Sequence, residues 1–380
     1  MIKILVTGDN HFGKKYDRYP SSRDKIIQSR FVAFENMVKQ AEQEECDLFV
    51  ITGDLFDNNS ISISEVRRVV RTLALFSGRV LVLPGNHDYY SSERKVWVDF
   101  QKELDVLDHN IILMKELRSF SFDVREERVT IYPALCQTKH SENNNLGWIT
   151  EKFNESEGYH IGIAHGALEG ITPDMDGQYF PMTISELNSI PVDVWLIGHT
   201  HIPYPKLPTD KEEVGHKIFN AGTHEQTDRT NNTLGYAFIL RLDKSRGKTE
   251  VAARSFISGR IRYHNLTVQL KPAEELEQAI LNALQGVGKD SIVRLILSGS
   301  VSKEDYENRF NIYDTIPHEF IDFKEDDENL SVLITPEMIS SEFAEISFVS
   351  ELLNELIEDD PKTAQMAYEL IKKHQSKEVG

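Results

Sequence analysis

The sequence predicts an α/β protein: a large layered domain, then a smaller α/β unit, then a C-terminal helical hairpin. Short apolar runs alternate with amphipathic stretches over residues 1 to about 245, the pattern of strands layered with helices. Acid, amide and imidazole side chains gather where five of those runs end, and strand ends are where an open α/β sheet builds its site. At 380 residues the chain is long enough for two or three domains.

Ile2–Thr7 reads as a buried strand and leads to Asp9-Asn10-His11. Phe31–Glu44 reads as a helix with Phe31, Phe34, Met37, Val38 and Ala41 on one face. It feeds the strand Leu48–Thr52, followed by Gly53-Asp54-Leu55-Phe56-Asp57. The helix Glu65–Phe76 precedes the strand Val80–Leu83, which ends in Gly85-Asn86-His87-Asp88, and the helix Arg94–Leu107 follows. The stripes Val66, Val69, Val70, Leu73 and Val96, Trp97, Phe100, Leu104 allow two readings. They face their own core, or part of them forms a self-association bundle. The strands Ile161–Ala164 and Val194–Ile197 then deliver His165-Gly166, Gly198-His199 and His201.

Asp243–Thr249 reads as a polar turn between the strands Tyr236–Leu242 and Glu250–Phe256, so the first domain is expected to span 1–258. Residues 259–335 read as a small capping unit: strand Tyr263–Leu270, helix Pro272–Leu284, strand Ser291–Leu297, helix Lys303–Phe310, and a solvated loop at Lys324–Asn329. Residues 336–380 read as a helical hairpin. Phe343, Ile346, Val349, Leu353 and Leu356 mark its first helix. Asp360 caps the second, with Pro361 at its first position and Ala364, Ala367, Tyr368 and Ile371 on its apolar face. Such a hairpin either packs on its own chain or docks on another.

The net charge of −19 argues against a general nucleic-acid binder, but its distribution softens the objection. Residues 1–100 carry 14 basic and 14 acidic side chains, whereas residues 321–380 carry 5 and 15. Bound cations would offset ligand carboxylates locally. No run approaches a membrane span, and Met1-Ile2-Lys3 leads into a strand rather than a signal peptide. Cys46 and Cys136 are too few for a disulfide framework, so the expected compartment is the cytoplasm.

Mixed oxygen and imidazole donors suit manganese, iron or zinc. Asp54 is the natural bridge, since a carboxylate can bind two cations. Asp9 and His11 share a strand end, His199 and His201 repeat their spacing, and Asn86 and His165 complete seven side chains. With Asp54 used twice, each of two metals has four ligands, and two metals suit phosphoester hydrolysis. His87 is the expected general acid, with Asp88 beside it to orient the ring. His224, after the last site segment, is either a substrate contact or a structural residue.

In order, these segments resemble the calcineurin-like metallophosphoesterase superfamily: Asp-x-His, Gly-Asp-x-x-[Asp/His], Gly-Asn-His-[Asp/Glu], a later His, then Gly-His-x-His. Within it they are most similar to the double-strand-break-repair nucleases called SbcD in bacteria and Mre-eleven elsewhere. Gly8-Asp9-Asn10-His11-Phe12-Gly13, Asp47-Leu-Phe-Val-Ile-Thr-Gly-Asp-Leu-Phe-Asp57 and Ile218-Phe219-Asn220-Ala221-Gly222-Thr223 carry that likeness. The resemblance implies a two-sheet layered domain. It implies Asp9, His11, Asp54 and His201 around one metal, and Asp54, Asn86, His165 and His199 around the other. His87 matches the catalytic histidine. It further implies two manganese ions (magnesium, iron or zinc as substitutes), DNA as substrate, a homodimer, no membrane, and a coiled-coil ABC-type ATPase partner of the Rad-fifty/SbcC type, gripped by the hairpin.

Two positions depart from the pattern: Asn10 stands where many members have Trp, and Asp57 where archaeal members often have His. The inserted loop 14–23 is basic and aromatic, suited to holding a DNA phosphate and stacking a base on Tyr16 or Tyr19. Its plainer reading is a solvated loop. Asp57, Lys14, Lys15, Arg18, Arg23 and His224 are the expected substrate contacts. The competing readings are a small-molecule phosphodiesterase or phosphatase of the same superfamily, and a scaffold that mainly docks a partner.

Overall fold

The computed structural model describes residues 1–378 apart from 155, 173, 175, 228–232, 246, 272–273, 317–319 and 345–346. Arg246, Pro272 and Ile346, used in the expectations above, lie outside the described residues. The chain forms two compact units, Met1–Tyr263 and His264–Gly380.

The first unit runs β1 (Ile2–Thr7), α1 (Arg23–Gln43), β2 (Leu48–Ile51), α2 (Ile63–Leu73), β3 (Arg79–Val82), α3 (Lys95–Leu104), β4 (Ile111–Leu113), β5 (Phe120–Val124), β6 (Glu127–Ala134), α4 (Gly147–Lys152), β7 (Tyr159–His165), α5 (Ile184–Ser189), β8 (Val194–Gly198), β9 (Glu213–Val214), β10 (Ile218–Asn220), β11 (Tyr236–Ser245) and β12 (Lys248–Ile257). These strands make two sheets, ordered β4-β3-β2-β1-β11-β12-β9 and β10-β8-β7-β6-β5. β1 to β4 are mutually parallel, as are β6, β7, β8 and β10. Parallel strands all end on one side, which is why their ligand-rich tails can converge.

Alternation within each strand sorts side chains between two layers of core. Ile4 and Val6 of β1 and Val194 and Leu196 of β8 pack in the space between the sheets, with Val50, Ile161, Ile163, Phe219 and Phe238. Leu5 and Ile51 face the other way, under α1, α2 and α3. Trp195 and Ile197 do the same on the outer face of the second sheet. Burial on both faces explains why these strands read as continuous apolar runs.

The stripes of α2 and α3 face this domain's own core. Val66, Val69, Val70, Leu73, Val96, Trp97, Phe100 and Leu104 are all buried in it, so they supply no self-association face. The polar stretch 243–249 is mostly strand, because β11 and β12 stay paired through Ser245↔Lys248 and reverse at Gly247, whose φ is +78°.

β13 (Arg262–Leu270) begins with the last two residues of the first unit and continues into the second, where it forms a sheet with β14 (Ser291–Val301) and β15 (Asp322–Val332) in that order, beside α6 (Leu276–Leu284) and α7 (Lys303–Thr315). The expected solvated loop at 324–329 is instead the middle of β15. Two of its carboxylates are paired: Asp326 with Arg294 of β14, and Asp327 with Arg309 of α7 at 2.9 Å. An edge strand tolerates such a charged run, since the charge also deters a further strand. α8 (Pro336–Glu342), α9 (Phe348–Asp359) and α10 (Pro361–Glu378) complete the unit. Phe343 caps α8 rather than joining α9, so the anticipated stripe spans two helices. Asp360 does cap α10: its carboxylate accepts from the Lys362 main-chain nitrogen at 3.1 Å and the Thr363 hydroxyl at 2.6 Å. Leu353 and Ala364 are buried between α9 and α10.

Candidate metal centre and active site

Both sheets of the first unit supply the site. Asp9 and His11 follow β1, Asp54 follows β2, and Asn86 and His87 follow β3. From the second sheet, His165 ends β7, and His199 and His201 follow β8. Asp9, His11, Asp54 and His199 hold positive φ of 49°, 47°, 50° and 101°. Non-glycine residues rarely adopt this backbone, and its strain collects at functional sites. It turns each side chain back across the strand ends.

Among the described residues three groups of potential ligand atoms form, each drawn together within 4.8 Å: the two that carry expected metal ligands throughout, Asp9, His11 and His201, and Asp54, His165 and His199, and a third of His11, Asp57 and His87. One oxygen joins the first two. Asp54 Oδ2 lies 3.4 Å from His165 Nε2 and 3.8 Å from His11 Nε2. Asn86 Oδ1 belongs with the second group, 3.0 Å from His165 Nε2 and 3.2 Å from His199 Nδ1. The main-chain nitrogen of His199 donates to both carboxylate oxygens of Asp9 at 3.1 Å, pinning one sheet's ligand to the other.

The donors fit divalent cations. His165 Nδ1 donates to the Thr52 carbonyl oxygen at 2.9 Å, which fixes the tautomer and turns the Nε2 lone pair toward two oxygens. That arrangement is unfavourable unless something positive sits between them. Burial would lower His165, but the Asp54 charge prevails and pushes it up to about 9. Burial would likewise raise Asp54, and the charge of His165 holds it well below the carboxylate range. Burial, reinforced by His165, pushes His199 down to about 4; burial and the His11 charge hold His201 well below its ordinary value. Both stay neutral, as imidazole ligands must. His11 Nε2 and His201 Nε2 approach to 3.1 Å, a hydrogen bond whose direction the tautomer sets and which one shared cation could replace. Backbone clearance completes the cradle: a Cβ on Gly53 would fall 2.1 Å from His165 Nδ1, and one on Gly85 2.2 Å from Asp54 Oδ1.

His87 stands beside the first group, its ring 4.8 Å from that of His11 and 38% exposed. Its main-chain nitrogen donates to Asp54 Oδ1 at 2.8 Å. Asp88 does not orient the ring. Its carboxylate is buried and accepts from the main-chain nitrogens of Gly85 (2.7 Å) and Phe56 (3.0 Å), so it shapes the two loops that carry Asp54 and Asn86. Burial and the Asp54 charge push it up to about 7. The partner of the His87 ring is Asp57, whose main-chain oxygen accepts from Nδ1 at 3.0 Å. The Asp57 carboxylate lies 3.2 Å from His11 Nδ1. Burial would raise Asp57, but the hydrogen bond and charge of His11 hold it at about 2.

His224 is not a substrate contact. It is fully buried, accepts from the Asn10 amide at 3.1 Å through Nδ1, and donates through Nε2 to the Arg30 carbonyl at 3.1 Å. Lys14 is half-buried, its main-chain nitrogen donating to the His11 carbonyl at 3.3 Å, whereas Lys15, Arg18 and Arg23 are exposed. Sequence reasoning missed Tyr179, whose ring stacks on His199 with centroids 5.1 Å apart. It comes from a loop with no strand or motif to announce it. It also missed Thr52, because the group that positions His165 is a main-chain oxygen.

Residues 2–203 match the calcineurin-like phosphoesterase family. The uncharacterized metallophosphoesterase YhaO of Bacillus subtilis is 26% identical over 180 residues, 47% of this chain and 42% of that protein. The DNA double-strand break repair protein Mre11 of Methanosarcina mazei is 32% identical over 108 residues, 27% of this chain and 16% of that one. Both matches thus leave more than half of each relative uncovered. Among solved structures, a putative 5′-nucleotidase of Staphylococcus aureus superposes with a TM-score of 0.44 at 13% identity, over 68% of this chain and 54% of that one.

Proposed function

The chain belongs to the calcineurin-like phosphoesterase family, whose fold implies metal-dependent phosphoester hydrolysis, and from that premise we propose that it is a DNA nuclease processing broken ends. The observation that carries the reading is the joined pair of ligand groups with His87 and Asp57 beside them. When bound, paired cations neutralise phosphate oxygens and acidify a water for in-line attack. Asp9, His11, Asp54 and His201 would hold one cation, and Asp54, Asn86, His165 and His199 the other. The Asp57 carbonyl keeps a proton on His87 Nδ1, so Nε2 is the atom that hands a proton to the leaving oxygen. The Asp57 carboxylate lies 4.0 Å from His87 Nδ1.

DNA as substrate is favoured by the archaeal repair relative and by the exposed cations Lys15, Arg18 and Arg23 on the loop that leaves His11. Manganese is the proposed metal, and the cytoplasm the proposed compartment. No described helix is long and apolar enough to cross a membrane. The proposed partner is a coiled-coil ABC-type ATPase, docking on α9 and α10, which leave Phe348 (78%), Met366 (57%) and Leu370 (66%) exposed. The proposed homodimer uses Ile63 at the start of α2 and Leu75 just beyond its end, both exposed, since the apolar stripe of α2 is covered.

The deciding experiment incubates purified protein with end-labelled duplex and single-stranded DNA, with manganese, magnesium or chelator. Metal-dependent shortening that disappears in His87→Ala supports the nuclease. Intact DNA together with His87-dependent hydrolysis of a small phosphodiester transfers the assignment to a small-molecule phosphodiesterase.

A further inference from the structure

Beside the first ligand group lies a buried polar cluster that the reaction does not use. Arg30, on α1, is 2% exposed, and its Nη2 donates to the main-chain oxygen of Asn10 at 2.6 Å. Among the described residues its Nε and Nη1 have no hydrogen-bond partner of ordinary geometry. The phenol oxygens of Tyr16 (8% exposed) and Tyr263 (9%) have none either. The guanidinium carbon lies 6.0 Å from the Tyr16 ring centroid, the Tyr263 ring lies 6.2 Å from that of Tyr19 on the same loop as Tyr16, and the Arg30 charge is felt at Tyr263. Tyr16 and Arg30 interact, but outside ordinary hydrogen-bond geometry, so among the described residues these buried donors have no well-placed acceptor. Glu225 is near, but its carboxylate accepts from the main-chain nitrogens of Arg260 at 2.8 Å and Ile261 at 2.9 Å instead. Burial, the dominant influence, pushes it up to about 7, so it compensates Arg30 only in part.

Unsatisfied buried donors are costly, and most so when charged. A guanidinium offers donors only, in a fork that fits a tetrahedral oxyanion. Tyr16 also holds a φ of 48°, a left-handed backbone that bulky side chains rarely adopt. It stands on the loop that leaves His11, so the side chain closing the cluster is strained and lies outside any helix or strand. Strain of this kind gathers at ligand clamps. We infer that Arg30, Tyr16 and Tyr263 form a binding site for a phosphate-type oxyanion, entered when the loop carrying Tyr16 swings out. The oxyanion is free inorganic phosphate or a backbone phosphate of a nucleic-acid strand.

The test uses the full-length chain in chelator, so that no cation draws phosphate to the neighbouring centre. Replacing Arg30 would break its contact to Asn10, so the informative variant is Tyr16→Phe with Tyr263→Phe, which keeps both rings and removes both hydroxyls. Inorganic phosphate is titrated against chloride at equal ionic strength while thermal unfolding is followed. Phosphate should raise the wild-type midpoint, and its apparent affinity should fall about tenfold or more in the double variant. Anisotropy of a labelled oligonucleotide, also in chelator, separates the sources. A parallel loss of affinity assigns a strand phosphate, and unchanged affinity assigns the free ion. If phosphate leaves the wild-type midpoint unmoved, or stabilises both proteins equally, the inference fails. The readout is binding without turnover, so its failure leaves the nuclease proposal standing.

Discussion

His87 donates through Nδ1 to the main-chain oxygen of Asp57 at 3.0 Å, so the ring is oriented by a neighbouring loop and not by the acid that follows it in sequence. A carbonyl oxygen can only accept, which leaves Nε2 to carry the transferable proton. Replacing His87 by Ala should lower turnover by about 10²–10⁴-fold, the usual worth of a positioned general acid. Metal content should be unchanged by elemental analysis. Asp57→Asn keeps the main-chain contact and loses only the charge 3.2 Å from His11, so a smaller loss, about tenfold, is expected. Equal losses in the two variants would show that the carboxylate matters more than the ring's orientation.

Asp54→Asn should strip the centre as a whole rather than half of it. The same oxygen approaches His165 and His11, and an amide bridges two cations poorly. After dialysis against manganese, bound metal should drop from about two equivalents to one or fewer. Retention of both ions would remove the bridging role.

Gly85→Ala adds a single methyl group, yet its carbon would fall 2.2 Å from Asp54 Oδ1 and 2.4 Å from the Asp54 main-chain nitrogen. Neither neighbour can retreat without moving the loop. Overpacking of this kind costs about 1–3 kcal/mol. A lower urea midpoint together with weakened metal binding is expected. A normal metal affinity would mean that the two loops move as one.

Glu225 gives a pH signature away from the metal ligands. Its folded value is raised to about 7 from 4.5, so the native state holds a proton that the unfolded chain releases earlier. Its contribution to stability is complete below about pH 4.5 and is lost as pH rises toward 7, with a slope of at most about 1.4 kcal/mol per pH unit. Glu225→Gln keeps an oxygen for the Arg260 and Ile261 nitrogens and abolishes the titration. Denaturant unfolding from pH 4.5 to 7.5 should show a flatter profile in the variant, and parallel profiles would contradict it.

Much of this was legible in the sequence because it is local. Asp9, His11, Asp54, Asn86, His165, His199 and His201 each sit within a few residues of an apolar run, so strand and ligand announce each other. Contacts between segments distant in sequence were not legible. Asp88 looked like a partner for its neighbour His87, yet it serves Phe56, 32 residues away. His224 looked like part of the site because it follows the last motif, yet it faces α1 from within. The charged run 324–329 lacked any β pattern, and only pairing with β14 and the matching arginines made it a strand. The stripes of α2 and α3 fixed an apolar face but not what covers it, and the answer was the protein's own first sheet.

The centre straddles a seam. One sheet brings Asp9, His11, Asp54 and Asn86, and the other brings His165, His199 and His201. The apolar filling between the sheets therefore acts as a spacer gauge. The bulk of Phe219 and Phe238, in the apolar layer between the sheets, helps set how wide the gap stands where the two sets of ligands meet. Thinning that filling by a ring would let the layers settle toward each other and detune the centre while the chain is still folded. Conversely, any cation that ties the layers together resists their sliding. Catalytic competence and the alignment of the sandwich are thus one mechanical quantity, and agents that loosen the filling should silence the enzyme before they melt it.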